Sequence, residues 1–524
     1  MTMTDIPFAS TPPKVELLRY FQYPMDMAAS AALTCTSDHL HYSTDAPTQN
    51  RLVPSTYKAG HHTLFQHAQF LFGITGVSRN VTWSLLHAHP HYNSSQQSQR
   101  YVPMTLDGGV TVPKMAEKEE AVFRTAVAAQ FAAYERLIEL LTPFVAEAYT
   151  ERFPGRRAQQ ARFKGDVRKR AQEVARYVIP IAAKTNLYHL VSGITLYRYW
   201  RTCKMTDAPT EALYLVRQML RFVKMAEPRF FNHVDDPIPL EETQEFQALC
   251  TKGYAGTDCH EAEQFASKFD AALNASDCAS KLYDRTINPM GSLHLARNAV
   301  FGRWGTDINS AVADIMDPSR NLNLCDTLQL GHHSKLMRAM HMASFVFMKK
   351  LSHTADSQDQ RHRTVYGARP VLASQFSPCV ADYVTPRIIR KVGGEVYEKY
   401  HDTMRDAWRA INTLLDMDVC IEHALYLLPN AFPIRFVSSS DLLHLHHKWR
   451  QRLCLNAQEE IWYASRDEVR QVEKHLPVQV SKGKWIGPPC RLRYLAGEKP
   501  FCPEGSRFCG VKVWETGLPE ERLI

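Results

Sequence analysis

The feature that most restricts how this chain can fold is an order of elements that occurs twice. Phe70-Leu71-Phe72-Gly73-Ile74 reads as a buried strand, a short apolar run between turn residues. A helical stretch follows over 114–153, where Val122, Ala126, Phe131, Leu137 and Leu141 recur near helical spacing. An apolar run over 175–181 contains Pro180, and another helix covers 211–225. The order then repeats. Ser344-Phe345-Val346-Phe347 is strand-like, 395–415 reads as a helix, and 425–429 is an apolar run ending in Pro429. A long helix over 438–476 opens with Ser and Asp, residue types that cap free backbone N–H groups. The two sets stand about 270–280 residues apart, which points to an ancient duplication.

The 524-residue length agrees, because one hydrophobic core rarely grows past about 250–300 residues. The expected units are a first domain over 1–231, a weakly periodic connector over 232–285 and a second domain over 286–524. With 45% hydrophobic and 22% charged residues the chain is globular. No apolar run approaches the ~20 residues needed to span a bilayer, and residues 1–14 lack a secretory pattern. Twelve scattered cysteines read as reduced thiols, so a cytoplasmic location is expected. The net charge of +8 suits small anionic ligands such as nucleotides; no signature for DNA or RNA accompanies it, and no membrane partner is expected.

Chemistry concentrates in a few segments. Gly60-His61-His62-Thr63-Leu64-Phe65-Gln66-His67 precedes the first strand, Gly76-Val77-Ser78-Arg79 ends it, and Gln96-Gln97-Ser98-Gln99-Arg100-Tyr101 follows. These segments resemble flavin-dependent thymidylate synthases, which carry Gly-His-x-Thr-x-Phe-x-His, a Phe-x-Phe strand, Arg-His-Arg, then seven residues and Ser-x-Arg-Tyr. The resemblance implies an α+β fold, here as two tandem copies packed as a pseudo-dimer. In the first half Leu86-His87-Ala88 stands where the family has Arg-His-Arg, in a segment two residues too long. The second half supplies Arg361-His362-Arg363 at the family's distance from Phe345-Val346-Phe347, with Gln358 three residues ahead, but has Val371 and Ala373 in place of Ser-x-Arg. Downstream the family's phosphate-side arginine is Arg176 in the first half and Leu425 in the second. The arginine that the family places at the uracil is Arg452 in the second half, ahead of Ala457-Gln458-Glu459-Glu460-Ile461, and Cys203 in the first.

Each half is therefore expected to lend part of one composite site while the related site has decayed. Arginine holds phosphate through a fixed fork of donors, and a cation beside uracil favours its electron-rich form. The resemblance implies Arg452 as the catalytic cation and Gln358, Arg361, Gln96, Ser98, Gln99, Arg100 and Arg176 around deoxyuridylate. Arg361, His362, Arg363, His61 and Thr63 would contact FAD. Methylenetetrahydrofolate and NADPH would be co-substrates, and two chains would form a homodimer equivalent to the family's four-domain assembly. The alternatives are a non-catalytic flavin- or nucleotide-binding paralogue and a methylase of another uridine nucleotide. His87, His89 and His91 lack acidic or thiolate partners and read as structural, so no metal site is assigned. Cys490, Cys502 and Cys509 in the tail could bind zinc with a fourth ligand, but their spacing is not that of a standard knuckle.

Overall fold

The computed structural model describes residues 6–107, 109–156, 160–232, 238–252, 259–274, 278–476 and 485–524. In the first half come β1 (Lys14–Tyr20), β2 (Gln69–Ser78), β3 (Asn93–Gln96), α1 (Glu117–Arg152), α2 (Gln160–Ala175), β4 (Lys184–Ser192), α3 (Gly193–Thr202) and α4 (Pro209–Ala226). In the second come β5 (Ser280–Arg285), β6 (Ser344–Ser352), α5 (His353–Asp359), β7 (Tyr366–Ala368), α6 (Gly394–Asp416), β8 (Pro433–Asp441), α7 (Leu442–Arg452), α8 (Glu459–Val472) and α9 (Pro489–Leu495).

Each half is built on a four-stranded antiparallel sheet of the same order, β1-β2-β4-β3 and β5-β6-β8-β7. The central strands follow period-two burial: Phe70, Phe72 and Ile74 on β2, and Phe345 and Phe347 on β6, are fully buried. Both central strands end in a serine that caps the next helical turn. Ser78 Oγ accepts from Val81 N at 3.1 Å, and Ser352 Oγ accepts from Ala355 N at 3.2 Å.

The halves meet through backbone as well as side chains. Ile181 N donates to Leu428 O (2.8 Å) and Ala182 N to Tyr426 O (3.0 Å). In return Asn430 N donates to Ile179 O (2.8 Å) and Ala431 N to Tyr177 O (2.9 Å), around a bridge between Pro180 and Pro429. Two tyrosines also cross. Tyr177 donates to Glu460, which accepts from Ser352 N, and Tyr426 donates to Glu211 (2.6 Å), which accepts from Ser78 N (2.9 Å). α1 packs against α6, and one hydrophobic core runs through both halves.

Several sequence expectations need correction. The stretch 438–476 is not one helix: β8 continues to Asp441, whose carboxylate caps α7 at His444 N (3.1 Å), and a loop over 453–458 separates α7 from α8. Pairing of Ser438–Ser440 with β6 overrides the helical reading there. The spacing of equivalents is not uniform, falling from 274 residues (Ser78 to Ser352) to 249 (Pro180 to Pro429). In α2, Arg170 is largely covered where it binds Leu455 O. Within 232–285, of which 233–237, 253–258 and 275–277 lie outside the described residues, Ser280–Arg285 is a sheet edge rather than connector. No helix among the described residues is long and apolar enough to cross a membrane.

Candidate functional site

The serine caps fix the register of the segment that follows each central strand. Counting from Ser78 and Ser352 sets Ser84 against Gln358 and His87-Ala88-His89 against Arg361-His362-Arg363. The expected counterpart, Leu86-His87-Ala88, is off by one residue, because the serine rather than the strand's aromatic pair anchors the turn.

α5 carries Gln358, and a buried ionic quartet holds it from behind. Lys349 Nζ contacts Asp359 (2.7 Å) and Glu468 (3.1 Å), while Lys448 Nζ contacts Glu468 (2.8 Å) and Asp359 (3.4 Å). Balanced charges fully removed from water in this way hold one geometry, since losing any member orphans another. On the other side of α5, Asp356 accepts a two-pronged bond from Arg369 (2.7 Å each) and one from Trp83 Nε1 of the first half (2.8 Å).

Gln358 reaches the junction of the halves. Gln458 Oε1, at the start of α8, accepts from Gln358 Nε2 and from Arg176 Nη2 of the first half (2.7 Å). Gln458 Nε2 donates to Tyr177 Oη (2.6 Å). Arg452, the last residue of α7, donates to Gln358 O (2.6 Å) and from Nε to His362 Nε2 (2.8 Å). That bond needs an unprotonated Nε2. Burial, and next Arg452, push the His362 pKa well below its usual value, so the ring is neutral and carries its proton on Nδ1.

Arg100 arrives from the first half, where Ser98 Oγ accepts from its backbone N (3.2 Å). Its guanidinium binds Glu173 (3.0 Å) and Asn456 O in the 453–458 loop. Burial favours protonation of Glu173, but Arg100, Arg170 and Arg176 outweigh it and draw the pKa down to about 2. Arg79, half-buried beside these groups, donates to Gln97 O (2.8 Å). Burial, then Arg176, pulls it down to about 9, and burial together with Arg100 and Arg361 lowers Arg452 to about 10 despite Asp359. All remain charged at neutral pH.

The arrangement thus concentrates buried cations against few anions. Arg79 Nε, Arg176 Nε, Gln99 Nε2 and Gln358 Oε1 are buried without a hydrogen-bond partner among the described residues. Unpaired donors on charged groups are costly, and an anionic ligand is what satisfies them. Of the sequence-assigned residues, Gln99, Arg100, Arg176, Gln358, His362 and Arg452 converge, with Asn430 Nδ2 bridging Arg176 O (3.0 Å) and Gln99 Oε1 (3.3 Å). Ser98 acts here through the Arg100 backbone, and Gln96 pairs with Leu187 in the sheet.

Arg361 and Arg363 turn outward to an adjoining cleft of about 400 Å³, lined by Leu71, Tyr92, Asn93, Ser94, Tyr188 and Leu190. Arg361 binds Ser94 O (3.0 Å), and Arg363 binds Asn93 Oδ1 (3.1 Å) with its guanidinium 5.2 Å from the Tyr92 ring centre. Two arginines beside tyrosine rings suit a flat ring system bearing phosphates, so this cleft fits a flavin nucleotide. His61 and Thr63 are exposed on the turn before β2, and no hydrogen bond among the described residues joins them to the cleft. His87 and His89 are held by Ser94 (3.0 Å) and Tyr199 (2.7 Å).

The related set of positions is emptied of this chemistry. By the register of the Pro180–Pro429 bridge Leu425 stands for Arg176, Cys203 for Arg452 and Pro209 for Gln458, and by that of β3 and β7 Ala373 stands for Arg100; Leu425, Cys203 and Ala373 are buried. Glu422, the counterpart of Glu173, binds Thr210 N (2.9 Å) instead of an arginine. Arg79, Glu173, Asn430 and Gln458 were not assigned from sequence. Arg79 and Gln458 lay inside quoted motifs, whereas nothing local marks Glu173 or Asn430.

What the fold defines is an α+β protein of two similar halves, each on a four-stranded antiparallel sheet, with arginines gathered at their junction. The model of the family described as thymidylate synthase complementing protein matches residues 16–229 and again 283–478, and the chain belongs to this family. A flavin-dependent thymidylate synthase from Mycolicibacterium gilvum is 33% identical over 235 residues, 43% of this chain and 84% of that protein. One from Clostridium tetani is 29% identical over 227 residues, 42% of this chain and 86% of that protein. Among solved structures, the UMP/dUMP methylase PolB from Streptomyces cacaoi matches at 14% identity and a TM-score of 0.31, covering 46% of this chain and 97% of that one.

Proposed function

We propose that the chain is an FAD-dependent methyltransferase that converts deoxyuridylate to thymidylate at one site shared by its halves. Methylenetetrahydrofolate would supply the carbon and NADPH the reducing equivalents. The observation that carries this reading is the bridge from Arg176 through Gln458 to Gln358, with unsatisfied donors on the first half's side of the junction and the unsatisfied acceptor Gln358 Oε1 on the other. The family membership and the activity of its flavin-dependent thymidylate synthase relatives support the reaction class.

Each residue's part follows from its surroundings. Arg100 and Arg176 hold the nucleotide phosphate, and Glu173 keeps the Arg100 fork oriented before the phosphate arrives. Gln358 offers its free Oε1 to the nucleotide. Arg452 stays protonated and stabilises negative charge on the pyrimidine as its C5 gains electron density, while the neutral His362 ring fixes the guanidinium in place. Bound flavin supplies hydride and one-carbon carrier chemistry, and Arg361 and Arg363 hold it in the adjoining cleft. The exchanged bonds about Pro180 and Pro429 support a pseudo-dimer of tandem copies, and His61 and Thr63 would complete a flavin site in a homodimer. A cytoplasmic location suits these substrates.

The test uses purified chain with FAD, deoxyuridylate, carbon-labelled methylenetetrahydrofolate and NADPH. Labelled thymidylate is the expected product, lost in both Arg100→Ala and Arg452→Ala. A chain that takes up FAD and deoxyuridylate yet forms no product would overturn the reaction, and one that binds neither would overturn the site.

A further inference from the structure

Away from the nucleotide junction, metal-ligating side chains gather where the chain ahead of β6 meets the start of α7. His341 comes from the turn Met337–Met342, Asp441 from the end of β8 and His444 from the first turn of α7. One ligand atom from each of the three lies within 4.8 Å of the other two. Asp441 Oδ2 stands 2.9 Å from His341 Nδ1 and 2.8 Å from His444 Nδ1, while Oδ1 caps α7 by accepting from His444 N (3.1 Å). A third ring stands beside them. His332, on the exposed turn Leu330–His332, has its ring centre 4.8 Å from that of His444 and 5.5 Å from that of His341, and those two are 5.2 Å apart.

These spacings suit ligands around a single ion. Donors about 2.0–2.2 Å from a tetrahedral centre stand about 3.3–3.6 Å from one another, so the contacts of Asp441 with the two rings need open by only about half an ångström. Three imidazoles on one such centre hold their ring centres about 5 Å apart. The His444 ring also has bonding capacity that the protein does not use: its Nε2 is buried without a hydrogen-bond partner among the described residues. Side-chain exposures of 25% for His341, 17% for Asp441 and 15% for His444 leave an ion a path from solvent.

The backbone around the group is firmly placed. Gly331 is buried, and a Cβ there would stand 2.9 Å from Leu443 Cδ1, so the missing side chain lets the turn carrying His332 lie against α7. Gln329 enters that turn at φ +58°, in the left-handed region that few non-glycine residues adopt. Beneath the ligands, Met337, Met340, Leu442, Leu443 and Leu445 share one core with Phe345 and Phe347. The first half shows what a helix cap alone requires. By the register of the Pro180–Pro429 bridge, Ser192 and Thr195 stand there for Asp441 and His444, bonded to each other through their hydroxyls (3.1 Å). A carboxylate flanked by histidines exceeds that need and belongs to the second half.

The structure assigns a Zn²⁺ site to His341, Asp441 and His444, with His332 turning in from its exposed turn as the fourth ligand. Imidazole nitrogens with one carboxylate in a tetrahedral set are ligands that zinc favours, and the dication supplies the charge that Asp441 is placed to balance. Its role is positioning. α7 runs from this group to Arg452, so an ion on its first turn ties the helix to the chain ahead of β6 and steadies Arg452 against Gln358 O and His362. The ion takes no part in the proposed reaction.

The experiment is zinc titration of the full chain, purified without metal-affinity resin and stripped with chelator. About one ion per chain is expected to bind. His341→Ala, His444→Ala and Asp441→Asn, the last keeping an oxygen to cap α7, should each weaken zinc by more than about 10-fold. His39→Ala, in an exposed pair with His41 (ring centres 4.5 Å apart), should leave it unchanged. Co²⁺ in place of zinc should show the visible absorption of nitrogen and oxygen ligation without a thiolate charge-transfer band. The unmutated protein removes dependence on the variants folding: zinc should raise its melting temperature and shield His332, His341 and His444 from acylation by diethyl pyrocarbonate, read by mass spectrometry. No zinc uptake, uptake unchanged in His444→Ala, a thiolate band, or histidines acylated equally with and without zinc would each overturn the assignment. Deoxyuridylate binding tests the proposed function separately, and its loss leaves the metal result standing.

Discussion

Arg176 separates a binding site from a structural ion pair, because the two roles predict opposite effects of removing its charge. The side chain is 3% exposed, donates once to Gln458 Oε1, leaves Nε without a partner, and lies among Arg79 and Arg100. In Arg176→Met, Gln458 Oε1 keeps its bond from Gln358, so no acceptor is orphaned. The lost bond costs about 1.5–3 kcal/mol, and relief of an unpaired buried charge returns about 1–4 kcal/mol. The melting temperature should therefore hold or rise slightly. Nucleotide affinity should move the other way, since losing a charge-assisted bond of about 1.5–3 kcal/mol weakens binding by about 10- to 150-fold. Arg435 is the control: it is buried as deeply, but Asp270 (2.7 and 2.8 Å) and Asp382 (2.7 Å) match its charge. Arg435→Met leaves Asp382 without its cation and Asp270 with Lys350 alone (2.6 Å), and should cost about 3–5 kcal/mol. Thermal melts and calorimetric titration with deoxyuridylate read both quantities. If Arg176→Met melts as low as Arg435→Met while binding is unchanged, Arg176 is structural and the argument from unpaired charge is refuted.

Further outcomes follow from the same geometry. Tyr177→Phe and Tyr426→Phe each remove one donor from a buried glutamate at the junction and should each cost about 1–3 kcal/mol in chemical unfolding; no loss in either would mean the crossing bonds do not hold the halves. Lys349→Met leaves Asp359 and Glu468 with less cationic charge, so it should cost about 3–5 kcal/mol and also weaken nucleotide binding by displacing Gln358. The neighbouring arginines draw the Glu173 carboxyl down to about 2 from its usual 4.5, so its stabilisation is full above pH 4.5 and is lost as pH falls toward 2. That shift corresponds to at most about 3 kcal/mol, and Glu173→Gln should flatten the acid limb of the stability profile over this window; an unchanged limb contradicts the assigned ion pair.

The duplicated order of elements was legible because strands and amphipathic helices leave local periodic marks. Phe70 and Phe72, and Phe345 and Phe347, stood out in short apolar runs and lie on the buried faces of equivalent strands. Residues 438–476 misled because their capping signal is real but sits at Asp441, at the end of a strand whose ladder partner is about ninety residues away. Arg176, Gln358 and Arg452 were visible as complementary losses and retentions between the halves. Glu173 and Asn430 were not, because an ordinary helical glutamate and a loop asparagine matter only once Arg100 and Arg176 are brought beside them. The register error at His87 had a similar origin: the Ser78 cap, bonded across the molecule to Glu211, fixes where the turn begins.

The central claim is one nucleotide site per chain, pooled from two halves, with its mirror position closed by Leu425, Cys203 and Pro209. Equilibrium dialysis of labelled deoxyuridylate against the flavin-loaded chain measures this directly. Saturation at about one nucleotide per chain, abolished alike by Arg100→Ala and Arg452→Ala, is the predicted result. Saturation at two, or binding that survives loss of either arginine, would contradict it.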